Sequence, residues 1–234
     1  MEAIDLIETL PELCLLLIVC FILLVTPFIK EPLATDEDVF YTPRGANLAY
    51  YVALVVLLIL SIVFALKAND MPQLLMNGLY QVDPLSNILK SVSSLAVLVT
   101  LIYSKQYLID RDLFRTDYIS LALLALLGQF VMISGANLLT LYLGLELLAL
   151  STYTLTAMRP NYPRGIEAGM KYFILGALSS GFLLYGMSMI YGATGSLDLD
   201  DIYRATVTGG VMRLVLAFGL VFLLAGLAFK LGVA

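Results

Sequence analysis

The chain has 234 residues, of which 61% are hydrophobic and 13% charged, and its formal net charge at pH 7 is −5. Soluble domains have roughly 45–50% apolar and about 25% charged residues, so a mean hydropathy of +0.95 excludes a water-soluble globule. The acidic balance also excludes nucleic acid, which requires a basic stripe. The composition predicts a membrane protein whose surroundings are the lipid bilayer.

Seven apolar segments follow one another along the chain, most of them long enough as helices to cross a hydrocarbon core about 30 Å thick. They are Leu13–Ile29, Ala46–Leu66, Leu85–Ser104, Tyr118–Ser134, Asn137–Met158, Ile166–Tyr191 and Leu214–Ala234. We therefore expect an all-α fold, a polytopic transmembrane helix bundle of about seven spans. The first segment is not a signal peptide, because acidic residues precede it and no small-residue cleavage site follows.

Basic residues alternate from loop to loop. They are frequent after the odd-numbered segments, as in Lys105, Arg111 and Arg115 after the third and Arg159 and Arg164 after the fifth. The positive-inside rule then places these loops in the cytoplasm and the N-terminus outside.

Local signals mark several helix boundaries and contacts. Asp83 before Pro84 predicts a capped helix start. The sixth segment is rich in small residues, among them Gly176 and Gly181. Such residues let neighbouring helices approach closely, which predicts a central position for this helix in the bundle. The motif GATGS at Gly192–Ser196 predicts a helix C-cap and turn rather than a phosphate loop, because no strand precedes it and the lysine is missing.

The sequence has few residues that could bind a metal ion or form a disulfide. There is no His, and the two cysteines, Cys14 and Cys20, lie in one apolar segment. We expect both cysteines to face lipid or a neighbouring helix, with neither a zinc site nor a disulfide framework.

Four charged residues lie inside the apolar segments: Lys90, Glu146, Lys171 and Lys230. A charge at the bilayer centre costs roughly 2.5–3.5 kcal/mol on insertion scales, so each is a candidate for function. Glu146 is the strongest, because it lies nine residues past Asn137, about 14 Å along a helix, with a side chain too short to reach the interface.

Each candidate also has an alternative interpretation. Lys90 could extend its long side chain back to the interface, and Lys171 could form an i,i+4 pair with Glu167. Lys230 would be an interfacial anchor if its segment ended there, and Glu146 could be a neutral, hydrogen-bonded acid that serves only packing. Buried carboxylates and amines on successive helices also suit reversible proton transfer.

Three stretches carry a resemblance to a known family. They are LLTLYLGLELLALSTYTLTA at Leu138–Ala157, IEAGMKYFILGALSSGFLLYGMSMIYGATGSLDL at Ile166–Leu199 and LAGLAFKLGVA at Leu224–Ala234. The sequence resembles the antiporter-like membrane subunits of respiratory complex I, and within them the subunit N group. The resemblance covers Asp83–Ala234, and the first two helices only in hydropathy.

The resemblance implies a site and an architecture. Glu146 matches the family's fifth-helix glutamate and Lys230 its seventh-helix lysine, an ion pair in a proton half-channel, and Lys171 matches a sixth-helix lysine. Members have about fourteen helices with two inverted repeats. Residues 1–117 would then be the first three helices and 118–234 most of the first repeat. Because the apolar run continues to Ala234, we expect the sequence to be part of a longer protein.

The implied function is proton translocation as a subunit of NADH-quinone oxidoreductase in a bacterial inner membrane, driven by quinone reduction. The implied partners are the other membrane and peripheral subunits of complex I. FMN, iron–sulfur clusters and quinone would be bound by those subunits, and no cofactor is expected in this chain. Two alternatives remain at this point: a subunit of a multi-subunit cation/proton antiporter, and a non-transporting membrane scaffold whose buried charges only fix helix pairing.

Overall fold

The computed structural model describes residues 3–29, 44–69, 71–159, 162–208 and 212–232. Its helices are α1 (Ala3–Glu8), α2 (Leu10–Val25), α3 (Arg44–Leu66), α4 (Pro84–Asp110), α5 (Thr116–Ile133), α6 (Leu138–Thr156), α7 (Pro163–Thr194), α8 (Leu199–Thr208) and α9 (Arg213–Lys230). Two short strands, β1 (Gln73–Leu75) and β2 (Tyr80–Val82), form an antiparallel hairpin.

The prediction of an all-α polytopic bundle is confirmed. Among the described residues, six helices are long and apolar enough to cross a membrane, and α2 is a shorter apolar helix of 16 residues. Each of the seven predicted segments corresponds to one of these helices. The end of the last segment, residues 233 and 234, lies outside the described residues, and α9 ends at Lys230.

Caps mark the ends of several helices, and those at Asp83 and Gly195 are confirmed as the sequence predicts. The Asp83 carboxylate accepts a hydrogen bond from the Ser86 amide at 2.7 Å, and the Ser86 hydroxyl faces the Asp83 amide at 3.0 Å. Gly195 ends α7 with φ 77°, the left-handed conformation that glycine adopts without strain. Asn137 caps α6 by accepting a hydrogen bond from the Leu139 amide.

The hairpin, which the sequence analysis did not predict, joins the helix ends on one side of the bundle. The Gln81 amide donates to the Ser134 carbonyl at 2.8 Å, at the turn between α5 and α6. The Leu138 amide at the start of α6 donates to the Leu197 carbonyl beyond α7. The starts of α4 and α6 and the end of α7 are therefore held together.

Side chains from α2, α3, α4 and α5 form the larger apolar core, and a second one lies among α6, α7 and α9. Helices α5 and α6 meet at Gly128 and Gly144, where an added Cβ would lie 2.6 Å and 2.7 Å from backbone nitrogens of the facing helix. Such close approach is typical of helix pairs in lipid. The larger core includes residues on both sides of position 117, the expected boundary between the first three helices and the repeat. Helix α5 therefore packs with the N-terminal helices as well as with α6.

The two glycines singled out on α7 have different surroundings. A Cβ at Gly176 would collide with the Tyr153 ring and hydroxyl, as close packing requires. A Cβ at Gly181 would meet nothing within 4 Å in the described part of the chain. Within the described part of the chain, close packing is therefore found at Gly176 and not at Gly181.

Candidate functional site

Glu146 and Lys230 meet between α6 and α9. Lys230 Nζ lies 2.7 Å from Glu146 Oε1, and the two side chains are 9% and 20% exposed respectively. Glu146 lies eight residues after the start of α6, and Lys230 is the last residue of α9. Two ionised groups this close stabilise each other's charge, which offsets part of the cost of removing them from water.

Ser180 is a third member of this site, which the sequence analysis did not identify. Its hydroxyl donates a short hydrogen bond to Glu146 Oε1 and also contacts the Gly176 carbonyl. The neighbouring Ser179 hydroxyl donates to the Gly226 carbonyl at 2.8 Å, which ties α7 to α9 one turn before Lys230. Serines in an apolar helix often serve only local packing, so no sequence signal distinguished Ser180.

Two cavities open beside this pair. One of about 360 Å³ is lined mainly by aliphatic side chains and extends from Lys230 to Leu138 and Met187. The other, of about 150 Å³, extends from Lys230 to Thr152 and Tyr172, nearer the opposite end of α6. Lys230 thus lies where the two cavities approach each other.

Lys171 does not join this group. Its Nζ lies 2.6 Å from Glu167 Oε1, four residues earlier in α7, and the two side chains are 70% and 64% exposed. An exposed i,i+4 pair contributes little to stability. A proton-transfer role for Lys171 therefore stays a prediction, based on its match to the family's sixth-helix lysine.

Lys90 belongs to a second buried cluster. It is 1% exposed, and its Nζ lies 2.7 Å from both Glu12 Oε1 and the Tyr80 hydroxyl. The Tyr80 hydroxyl donates to the same carboxylate oxygen at 2.5 Å. The Lys90 ammonium is therefore covered by protein, in a pairing with Glu12 that the sequence analysis did not predict. Glu12 was not singled out, because an acid near the start of the first apolar helix is typical of an interfacial residue.

The phenol of Tyr80, which lies outside the span-length helices, is held in its neutral form. Burial raises its pKa above the usual value, and the Glu12 carboxylate raises it further. Tyr80 is consequently a hydrogen-bond donor to Glu12 at physiological pH. Within the described ranges, no group of three or more His, Cys, Asp or Glu side chains is arranged to hold a metal ion.

Comparisons with known proteins agree with this architecture. A family model described as NADH:quinone oxidoreductase/Mrp antiporter, TM, matches residues 135–234. NADH-quinone oxidoreductase subunit N of Paraburkholderia phymatum is 46% identical over 198 residues, which are 83% of this chain and 40% of that protein. The subunit N of Methylovorus glucosotrophus is 44% identical over 229 residues, 97% of this chain and 45% of that protein.

A solved structure shares the fold. A chain of respiratory complex I from Thermus thermophilus with bound aureothin has a TM-score of 0.72 and 27% identity, and the match covers 94% of this chain and 43% of that one. The chain therefore spans less than half the length of these relatives.

Span-length helices in this arrangement define a multi-pass membrane protein of the antiporter-like class. The chain belongs to the NADH-quinone oxidoreductase subunit N family.

Proposed function

We propose that this chain is part of a proton-translocating membrane subunit of NADH-quinone oxidoreductase, in which Glu146 and Lys230 bind and release the translocated proton. The observation that carries the proposal is the 2.7 Å contact between Lys230 Nζ and Glu146 Oε1 inside an apolar bundle. Ionisable residues inside a membrane are costly and commonly mark ion pathways.

The chemistry needs only small movements of the two side chains. While the pair is closed, the ammonium and the carboxylate stabilise each other's charged forms. When the pair opens, an unpaired carboxylate in apolar surroundings binds a proton more readily, and an unpaired ammonium releases one more readily. The Ser180 hydroxyl can donate to the carboxylate in the closed state and can accept from the protonated acid in the open state.

A path to and from the pair is supported by the two cavities that open beside Lys230. The smaller cavity, of about 150 Å³, is lined by Thr152, Tyr172 and Lys230, whose polar groups can form hydrogen bonds with water. Tyr172 lines this smaller cavity, and its neighbour Lys171 lies on the same turn of α7. We include Lys171 as a relay at that end of the path.

The partners of the proposed subunit are the other membrane and peripheral subunits of the oxidoreductase. NADH oxidation, FMN, the iron–sulfur clusters and quinone reduction belong to those subunits, and this chain contributes the membrane step. The membrane is the bacterial inner membrane, with the N-terminus outside.

A cation/proton antiporter subunit is the second candidate. The family model that matches residues 135–234 covers both NADH:quinone oxidoreductases and Mrp antiporters. Co-purification of the full-length protein with flavin and iron–sulfur subunits separates the two candidates.

The proposal is tested in the full-length protein within its assembled membrane complex. We expect Glu146→Gln to lower NADH-driven proton translocation, because the amide cannot bind the proton, and Glu146→Asp to retain part of it. Lys171→Gln should lower it as well. Normal translocation by Glu146→Gln at normal assembly would refute the role of the pair and favour a scaffold in which the charges only fix helix pairing.

A further inference from the structure

We infer that Glu12, Tyr80 and Lys90 form a second proton-binding site in this chain, separate from the Glu146–Lys230 pair. The site joins α2, the hairpin and α4, and Lys90 lies six residues after the start of α4, about 9 Å along that helix. It is more completely buried than the first pair, with the Lys90 and Glu12 side chains 1% and 8% exposed.

The two sites have the same chemical composition. In each, a single glutamate oxygen faces a lysine ammonium at 2.7 Å and accepts a hydrogen bond from a hydroxyl. The hydroxyl belongs to Ser180 beside Glu146 and to Tyr80 beside Glu12. The arrangement that supports proton exchange at the first pair is therefore present at the second.

The second oxygen of Glu12 is the position where a proton can be added. Glu12 Oε2 is buried and has no hydrogen-bond partner among the described residues, and the same is true of the Ser134 hydroxyl. Ser134, in the turn between α5 and α6, lowers the pKa of the Tyr80 phenol, but by less than burial and Glu12 raise it. A buried carboxylate oxygen without a partner is costly, so Oε2 is the oxygen of Glu12 that remains open to a proton.

The proposed step is a simple exchange. In the resting state Glu12 is a carboxylate, Lys90 an ammonium and Tyr80 a neutral phenol, so the three carry no net charge. One proton from water binds Glu12 Oε2, giving a neutral acid beside the ammonium and a net charge of +1. Release of that proton to water restores the carboxylate, and no bond between heavy atoms changes.

Other charges surround the site on several elements. Glu8 at the end of α1 pairs with Lys67 at 2.7 Å, and both side chains are partly exposed. Asp83 and Lys67 also act electrostatically on Lys90. Glu8 also acts electrostatically on the Tyr80 phenol, so its charge belongs to the surroundings of the site.

The site also has a route to the first pair. The Tyr80 backbone is bridged to Gly135, and the Ala136 amide donates to the Leu79 carbonyl at 3.3 Å. This turn leads directly into α6, which carries Glu146. A change in the hydrogen bonds of Tyr80 therefore acts on the start of the helix that holds the first site.

The test uses the full-length protein in its assembled complex, with Glu12→Gln, Tyr80→Phe and the control Asp110→Asn, which removes an exposed carboxylate at the other end of α4. Infrared difference spectra are recorded between acidic and alkaline buffers. We expect a carboxyl C=O band that is lost in Glu12→Gln, shifted in Tyr80→Phe and unchanged in Asp110→Asn. Tyr80→Phe removes only a hydroxyl, so it remains informative if Glu12→Gln fails to assemble.

The spectra and the transport measurement separate this inference from the proposed function. We expect Glu12→Gln and Tyr80→Phe to lower the number of protons translocated per quinone reduced, and Asp110→Asn to leave it unchanged. If no band in the wild-type spectrum depends on Glu12 or Tyr80, Glu12 is a permanent carboxylate and the inference is overturned, whatever Glu146→Gln does. Transport by Glu146→Gln tests the proposed function alone, whereas the dependence of the band on Glu12 and Tyr80 tests this inference.

Discussion

Gly186 in α7 and Gly219 in α9 bring their two helices into backbone contact. A Cβ at Gly186 would lie 2.7 Å from the Gly219 carbonyl oxygen, and one at Gly219 would lie 3.0 Å from the Gly186 carbonyl oxygen. Gly226, seven residues after Gly219, meets the Leu183 side chain in the same way. Lys230 follows Gly226 by four residues and shares its helix face, so the glycine contacts orient Lys230 toward α7 and Glu146.

We predict that Gly219→Leu separates α7 from α9 and weakens the Lys230–Glu146 pair. Overpacking of a tight contact costs roughly 1–3 kcal/mol, so the thermal unfolding temperature and proton translocation should both fall. Gly192→Leu is the control, because a Cβ there meets nothing within 4 Å. Equal behaviour of the two variants would show that the glycine contact does not hold Lys230.

Gly176 and Gly181 provide a test of which face of α7 is packed. Gly176→Leu should reduce assembly and stability, since Tyr153 occupies the space of its side chain. Gly181→Leu should be tolerated by this chain, because its Cβ position is open. Assembled complex is measured in membranes by native electrophoresis. Assembly lost only in Gly181→Leu would mean that another part of the assembly covers this face.

Much of the fold could be predicted from the sequence, because lipid imposes simple rules. Long apolar runs must be helices, and charges within them stand out, as Glu146 and Lys230 do. Caps such as Asp83 also have local signals. Ser180 could not be found in this way, since its hydrogen bond to Glu146 spans 34 positions and no local pattern records it.

The cluster around Glu12 was missed for a related reason. Lys90 and Glu12 are 78 positions apart, and Glu12 alone is typical of a helix end at the membrane surface. The hairpin that supplies Tyr80 has strands of three residues each, too short for an alternating pattern to be recognised. Tertiary contacts, rather than local sequence, create this site.

The predicted orientation can be tested with single cysteines in the loops. We expect cysteines at 112 and 162 to react with an impermeant thiol reagent only from the cytoplasmic side, and a cysteine at 200 only from the outside. In the structure these loops lie at opposite ends of the bundle. At one end the Arg159 guanidinium donates to the Arg111 carbonyl, and at the other the Leu138 amide donates to the Leu197 carbonyl.

Replacement of Cys14 and Cys20 by serine beforehand removes background labelling, and permeabilised cells give the total reactivity of each position. Labelling of position 162 from outside intact cells would contradict the topology.

The Tyr80 phenol should ionise at a much higher pH than an ordinary tyrosine. Its pKa is raised by burial and by Glu12, so its stabilising contribution is complete below about pH 10, the unfolded value, and declines only as pH rises toward the folded pKa. Tyrosinate absorbance is followed in detergent for wild type and Tyr80→Phe. The titration curves of the two native proteins should coincide up to about pH 10. When both are unfolded, the wild type should release one more proton than Tyr80→Phe. An additional native tyrosinate in the wild type near the ordinary pKa would contradict the buried, neutral phenol.

The Glu146–Lys230 pair should behave as one functional unit. Removing one partner of a buried pair leaves an uncompensated charge and costs roughly 3–5 kcal/mol, or forces the remaining group to become neutral. Glu146→Gln and Lys230→Ala should therefore each reduce NADH-driven proton translocation in the full-length, assembled protein. The double variant should lose much less than the sum of the two single losses, as contacting residues do. The cycle is measured with proton translocation and quinone reduction in the same vesicles, normalised to assembled complex. Additive losses would mean that the two residues act independently, and that the contact seen between them is not used in transport.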